Sequence, residues 1–134
     1  MIDDLKSAFR RPANIPLPGG IAPTRAQIEL GRRLFSEKRL SANDAVSCAS
    51  CHDPALAFTD GVARGKGIAK QQLSRNTPAL WNLAWGYNYF WDGRAPSLED
   101  QVHVPIEHPR EMGQSLALGA AKLARDGPPC DGAG

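Results

Sequence analysis

Cys48, Cys51 and His52 are the residues best placed to do chemistry, and they fall together in the sequence CASCH. Two thiols three positions apart on a tight helical turn can each form a thioether with one vinyl group of a haem. The next residue, a histidine, then lies under the iron. The motif therefore predicts one covalently attached haem c, with the imidazole of His52 as the proximal ligand of the iron.

A zinc site is the competing interpretation of the same cysteines. A structural zinc ion needs a second pair of ligands at similar spacing. The third cysteine, Cys130, stands alone, and His103 and His108 lie five positions apart without a neighbouring cysteine. The haem interpretation is therefore favoured.

The composition limits the class of protein. The chain has 134 residues, of which 42% are apolar and 22% charged, so one ordinary globular domain is expected. Thirteen glycines and eleven prolines predict a loop-rich fold. The net charge of +2 is too small to indicate a nucleic-acid partner, and no apolar run is long enough for a membrane span.

Short helices must position the motif. Thr24, followed by Gln27 three positions on, forms a capping-box pattern, and Ser97 with Asp100 forms another. The predicted helices cover about 24–38, the segment from Ser97 to Pro105, where proline is expected to stop the helix, and 116–125. We expect a mainly α, cytochrome c-like small domain wrapped around the haem, with long loops.

Three segments are expected along the chain. Residues 1–23 form an extended arm rich in proline and glycine, residues 24–125 form the haem domain, and residues 126–134 form an irregular tail. The first twelve residues have no apolar run and do not resemble a secretory leader. Haem c is nevertheless attached outside the cytoplasm in bacteria, so a periplasmic location is expected.

Two local biases leave alternatives open. Between residues 61 and 91 there are four basic residues and no acidic one, which fits either a solvated face or a basic lining for an anionic group such as a haem propionate. Six of the nine aromatic residues fall between 81 and 91, where they can form core or pack against the macrocycle.

Five segments of the sequence resemble a known family. They are ELGRRLF (29–35), SCASCHDP (47–54), RNTPAL (75–80), FWDGRAPSLEDQ (90–101) and PIEHPREMG (105–113). In this order and spacing they resemble the bacterial dihaem cytochrome c peroxidases and their relatives in methylamine utilisation, over about residues 24–125. The resemblance implies the N-terminal, peroxidatic haem domain.

The resemblance also implies roles for individual residues. Gln101 and Glu111 match the distal-pocket glutamine and glutamate, and Pro105 matches a distal-pocket proline. Trp91 matches the tryptophan that relays electrons between the two haems, and Asn76 matches a residue beside an interdomain calcium ion. The implied substrate is hydrogen peroxide, and the implied partner is a small electron-donor redox protein such as a cytochrome.

The residue types suit these roles, although each has an ordinary structural alternative. A carboxylate such as Glu111 can move a proton from one peroxide oxygen to the other, and Gln101 can donate a hydrogen bond to bound oxygen. From spacing alone, Gln101 would face solvent, Glu111 would cap a turn and Trp91 would be core.

The sequence departs from the family in three respects. It has one C-x-x-C-H motif, so the second haem domain is expected to be missing or supplied by a partner chain. No histidine lies between His52 and His103, so a distal histidine from this loop cannot cap the iron. After Asp126 the apolar pattern stops, for which a truncated or frameshifted end is one explanation.

Two other functions remain open. The first is a mono-haem electron carrier, in which His52 and Met112 would be the two axial ligands of the iron. The second is a fragment without function that binds haem poorly. The EMG segment that contains Met112 matches the family's distal segment, which favours an open iron.

Overall fold

A computed structural model describes residues 2–10 and 12–127 of the chain. The α-helices in this part are α1 (Ile2–Ala8), α2 (Arg25–Phe35), α3 (Cys48–Cys51), α4 (Leu98–Glu107) and α5 (Leu116–Asp126). Short 3-10 turns lie at Pro18–Gly20, Lys38–Leu40, Pro54–Leu56, Ile68–Lys70 and Leu83–Trp85. The described residues contain three isolated β-bridges and no named strand, so the mainly α prediction is confirmed. None of these helices is long and apolar enough to cross a membrane.

Helix α2 begins as the sequence predicts. The Thr24 hydroxyl accepts the Gln27 N–H at 3.2 Å, and the Gln27 side chain accepts the Thr24 N–H at 2.8 Å, which completes the capping box. The helix ends at Phe35, three residues before the predicted end. Glu37 has extended backbone geometry there, and its carboxylate caps the next turn by accepting the Arg39 N–H at 2.9 Å.

Helix α4 also begins at its predicted cap, since the Ser97 hydroxyl accepts the Asp100 N–H at 3.0 Å. The prediction that Pro105 ends this helix is wrong, because the helix continues to Glu107. The His108 N–H still donates to the Val104 carbonyl at 2.8 Å, so the chain closes another helical turn after the proline. Pro105 has no N–H and cannot donate a helical hydrogen bond, but this one missing bond lies near the end of the helix.

The N-terminal segment differs from the extended arm that the sequence predicts. Residues 12–23 are extended apart from one 3-10 turn, but α1 precedes them and is exposed along its whole length. Asp3 and Asp4 in the first turn of α1 and Lys6 in its last turn complement the helix dipole. Helix α5 runs through residue 126, and the rest of the predicted tail, with Cys130, lies outside the described residues.

Helix α5 holds the loop that leads into the haem motif. Lys122 donates to the Ser41 carbonyl at 3.3 Å and to the Asp44 carboxylate at 2.6 Å, and Gln114 donates to the same Ser41 carbonyl at 3.4 Å. Ser41 is fully buried, and its hydroxyl accepts the N–H groups of Ala45 and Val46. These bonds set the path of the chain just before α3.

Candidate haem site

Helix α3 is a single turn that carries the two cysteines. Cys48 and Cys51 are its first and last residues, so their side chains lie on one face of the turn. The Ser47 N–H donates to the Ser50 hydroxyl at 3.0 Å at the start of the turn, and the His52 N–H donates to the Cys48 carbonyl at 2.9 Å at its end. Both thiols are free and half-buried.

The imidazole of His52 is oriented by the backbone of the following loop. Its Nδ1 lies 2.8 Å from the Phe58 carbonyl oxygen. Because a carbonyl can only accept, Nδ1 carries the proton and the lone pair of Nε2 remains free for a metal. Ala57 and Phe58 both have left-handed backbone angles, with φ of 55° and 58°, and this unusual turn aims the carbonyl back at the ring.

Glu111 lies within electrostatic reach of the haem motif. Burial raises the pKa of the Cys51 thiol above its ordinary value, and the carboxylates of Asp60 and Glu111 raise it further. The pKa of the Cys48 thiol is also raised, by burial. Asp60 has the larger of the two carboxylate effects on the Cys51 thiol, and Glu111 has the smaller one.

A loop over residues 65–75 joins Cys51 to Glu111. On one side, the Cys51 thiol donates to the Lys66 carbonyl at 3.6 Å. On the other side, the Ile68 N–H donates to the Glu111 carbonyl at 2.7 Å. Gly67 stands between these contacts, and a Cβ at this position would lie 1.8 Å from the Arg110 carbonyl oxygen. The glycine thus allows the loop to press directly on the backbone that carries Glu111.

We expect Gly67→Ala to destabilise the folded holoprotein by about 1–3 kcal/mol, the usual cost of overpacking. The added methyl group would meet the backbone of Arg110 and Glu111, which cannot rotate away as a side chain can. Urea unfolding followed by circular dichroism measures the effect. Gly31→Ala is the matched control, because Gly31 lies within α2 with nothing near its Cβ position. That change should stabilise by about 1 kcal/mol, and equal stability of the two variants would contradict tight packing at Gly67.

Two further residues of the resemblance lie in α4. Gln101 and Pro105 are both half-buried. The Pro105 carbonyl accepts the Met112 N–H at 3.1 Å, which ties the end of α4 to the turn that contains Glu111. The structure thus brings Pro105 close to the Glu111 turn through the backbone.

Trp91 and Asn76 lie on the surface. Trp91 is 76% exposed, so it is not the core residue that its spacing alone would indicate. The Arg75 guanidinium lies 4.6 Å from the centre of its ring. Asn76 is exposed, and the described residues contain no group of three or more His, Cys, Asp or Glu side chains that could hold a metal ion. The calcium site therefore remains a prediction.

Several residues that shape the site have no clear signal in the sequence. The Phe58 carbonyl holds His52 through two non-glycine residues in left-handed geometry, which no local pattern predicts. Gly67 belongs to a GKG segment, and this glycine could have indicated a close approach of two backbones. The basic residues of the loop region are all exposed, which fits both the solvated-face and the anion-lining interpretation: Arg64, Lys66, Lys70 and Arg75.

The residues present fit a haem. The described part of the chain buries few apolar side chains, namely Ala95, Ile106 and Met112, so an apolar macrocycle would supply core that the chain lacks. The Trp85 indole Nε1 is a buried donor without a partner in this part of the chain, and a carboxylate group could satisfy it. Cys48, Cys51 and His52 are the residues that would hold the group.

Fold and site together define a c-type haem domain. A family model described as "Di-haem cytochrome c peroxidase" matches residues 25–128. The chain belongs to this family.

Known relatives agree with this assignment. The chain is 45% identical to the methylamine utilization protein MauG of Methylorubrum extorquens, over 89% of this chain and 34% of that protein. It is 38% identical to the cytochrome c551 peroxidase of Nitrosomonas europaea, over 78% of this chain and 31% of that protein.

A solved structure of a MauG-like protein associated with microbial copper homeostasis has a TM-score of 0.73 and 36% identity. The match covers 87% of this chain and 35% of that one. The diheme peroxidase BthA of Burkholderia thailandensis has a TM-score of 0.64 and 29% identity, with 80% and 34% covered. The chain thus spans about a third of the length of these relatives.

Proposed function

We propose that this chain is the peroxide-reactive haem domain of a cytochrome c peroxidase-type oxidoreductase. It would reduce hydrogen peroxide with electrons from a small redox protein in the periplasm, together with a second haem domain or a partner chain. The observation that carries the proposal is the path of the loop 65–75, in which Lys66 passes the Cys51 sulfur and the Ile68 N–H donates to the Glu111 carbonyl. The Ile68 bond involves only backbone atoms, so it persists when the sulfur forms a thioether. A proton-transferring carboxylate beside the haem attachment site suits peroxide chemistry better than simple electron transfer.

The site residues have separate roles in this proposal. When bound, haem iron supplies the site where peroxide binds and is reduced. Cys48 and Cys51 would hold the group by thioether bonds, and the bond from Nδ1 to the Phe58 carbonyl leaves the Nε2 of His52 available to bind the metal. Glu111 would take a proton from one peroxide oxygen and return it to the other. The oxygen that receives the proton can then leave as water. Gln101 would donate a hydrogen bond to the peroxide.

Trp91 is the proposed relay for electrons between this domain and the second haem. An exposed aromatic ring can lie at a contact with another domain while it remains part of this one, and Trp91 is 76% exposed. The match covers about a third of each relative, so the rest of a relative's sequence is long enough to hold such a domain.

The runner-up function is a mono-haem electron carrier with Met112 as the second axial ligand. Met112 is adjacent to Glu111, but its side chain is 5% exposed and belongs to the small buried core. Its backbone is held on both sides, since its N–H donates to Pro105 and its carbonyl accepts from Ala42. These contacts fix the backbone of Met112, and the ferric spectrum described below decides between a core and an axial-ligand role for its side chain.

The ferric optical spectrum of the holoprotein separates the two functions. We expect a high-spin spectrum, as for iron with an open sixth position. Met112→Leu should leave this spectrum unchanged, although it should lower the stability of the protein. A low-spin spectrum that becomes high-spin in Met112→Leu would instead establish the electron carrier.

A further inference from the structure

The indole of Trp91 carries a positive charge against its face. The Arg75 guanidinium lies 4.6 Å from the ring centre, and no carboxylate in the described part of the chain forms an ion pair with it. The carboxylate next in sequence to the indole, Asp92, binds Arg94 instead, with both of its oxygens 2.9 Å from the same nitrogen. The charge of Arg75 is therefore not neutralised where it meets the ring.

This contact bears on how easily Trp91 loses an electron. A cation over the face of a neutral indole is attracted by the negative potential of the ring. When the indole loses an electron it becomes positive, and the same contact becomes repulsive. Arg75 thus stabilises the reduced indole and destabilises the oxidised one.

The backbone of Arg75 has a separate role, which allows its side chain to be tested alone. The Arg75 carbonyl accepts the Gly65 N–H at 3.0 Å and closes the base of the loop 65–75. A substitution at position 75 keeps this bond, since it changes only the side chain. The loop that joins Cys51 to Glu111 should therefore remain in place.

We propose that Arg75 is a positioning residue for Trp91, which holds the indole against its guanidinium and makes it harder to oxidise. This inference rests on the proposed function, in which Trp91 relays electrons. An exposed indole in a peroxide-reactive domain would otherwise be a point of oxidative damage. Arg75 reduces oxidation of the Trp91 indole and leaves the ring in position for electron transfer.

Trp81 provides an internal reference in the same chain. Its indole is 60% exposed, against 76% for Trp91. It meets the edge of Phe58 with ring centres 5.4 Å apart, and no cation lies over it among the described residues. Exposure alone would make Trp91 the more reactive of the two, whereas the cation predicts the reverse.

The experiment oxidises the ferric holoprotein, without peroxide, with tris(bipyridine)ruthenium(III), a strong one-electron oxidant that light generates from ruthenium(II) when a cobalt(III) pentaammine complex accepts the electron. The ruthenium complex takes one electron from an indole and is reduced to ruthenium(II), and the indole radical cation releases its Nε1 proton to water. The neutral radical then combines with dissolved O2, which gives stable oxygenated tryptophan products. Peptide mass spectrometry measures the ratio of oxidised Trp91 to oxidised Trp81. We expect Arg75→Gln to raise this ratio about two- to fivefold, the factor that corresponds to an exposed cation–π contact.

Two further variants separate the contact from net charge. Arg64→Gln removes an exposed charge near the base of the same loop, at a residue that has no described contact with the indole. It therefore measures how far the loss of one positive charge, by itself, eases the approach of the cationic oxidant. Arg75→Lys keeps the charge but loses the planar stack, so its ratio should lie between those of wild type and Arg75→Gln.

Equal ratios in Arg75→Gln and Arg64→Gln would overturn the proposal, and so would a ratio in Arg75→Lys as high as in Arg75→Gln. Because neither peroxide nor Glu111 takes part in this oxidation, such a result would leave the proposed peroxidase function standing. Failure of the proposed function would appear instead in the reaction with peroxide, while the ratio of oxidised tryptophans would still report on Arg75.

Discussion

Replacing both Cys48 and Cys51 by serine is expected to abolish covalent retention of haem. Both thiols are free and lie at the two ends of one helical turn, as thioether bonds to the two vinyl groups of one haem require. The protein should be produced with a bacterial cytochrome c maturation system and exported. Extraction with acid and organic solvent should then leave haem on the wild-type protein and none on the double variant.

The third cysteine of the chain makes the control specific. Cys130→Ser removes a thiol outside the C-x-x-C-H motif and should retain all of the haem. Each single variant, Cys48→Ser or Cys51→Ser, should keep haem through one thioether, with an absorption band shifted by the remaining vinyl group. Complete transfer of haem from wild type into the organic layer would show that the attachment is not covalent.

Local interactions account for what the sequence predicts well. The capping bonds at Thr24 and Ser97 join residues three positions apart, and the same spacing places Cys48 and Cys51 on one turn. Such patterns are visible in one short window, because both partners of each bond lie within it. The starts of α2 and α4 and the haem motif therefore need no knowledge of the rest of the fold.

Contacts between distant segments account for what the sequence does not predict. Helix α4 runs past Pro105, where the local rule expects a stop, and the Pro105 carbonyl finds a partner in Met112. The loop between Cys51 and Glu111 depends on the backbone bond from Ile68 to Glu111, which joins positions too far apart to leave a periodic pattern in the sequence. The exposure of Trp91 depends on how the whole chain packs, and its spacing alone indicates core.

The family resemblance supplied the candidates that spacing could not. Glu111 and Gln101 have ordinary sequence surroundings, and their roles were implied by matched segments. The structure adds a backbone contact for Glu111, whose carbonyl accepts the N–H of Ile68 in the loop that also passes Cys51. For Gln101 the structure adds its place in α4, half-buried and four positions before Pro105.

Glu111→Gln is expected to slow the reaction of the ferric holoprotein with hydrogen peroxide by about 10²–10⁴-fold, the usual effect of losing a general acid–base. The substitution preserves size and most hydrogen bonding but removes the group that accepts a proton. The Glu111 backbone bonds to Ile68 and His108 do not involve the side chain, so the turn should persist. Stopped-flow absorption of the haem after mixing with peroxide gives the rate.

A matched carboxylate tests whether the effect belongs to the site. Glu99 is exposed in the first turn of α4, and Glu99→Gln removes the same charge without approaching the haem motif. Its rate should equal that of wild type. The resting spectrum of Glu111→Gln should also match that of wild type, because His52 and its bond to the Phe58 carbonyl are untouched.

Sustained turnover is expected to be much slower than this first reaction. Reduction of one peroxide needs two electrons, whereas the chain has a single C-x-x-C-H motif and spans about a third of its di-haem relatives. With a reduced cytochrome as donor, the chain should therefore react rapidly once and then turn over poorly. Vigorous steady-state turnover would refute the need for a second haem domain. Equal stopped-flow rates for wild type and Glu111→Gln would show that the Glu111 carboxylate does not accept the proton in the peroxide step.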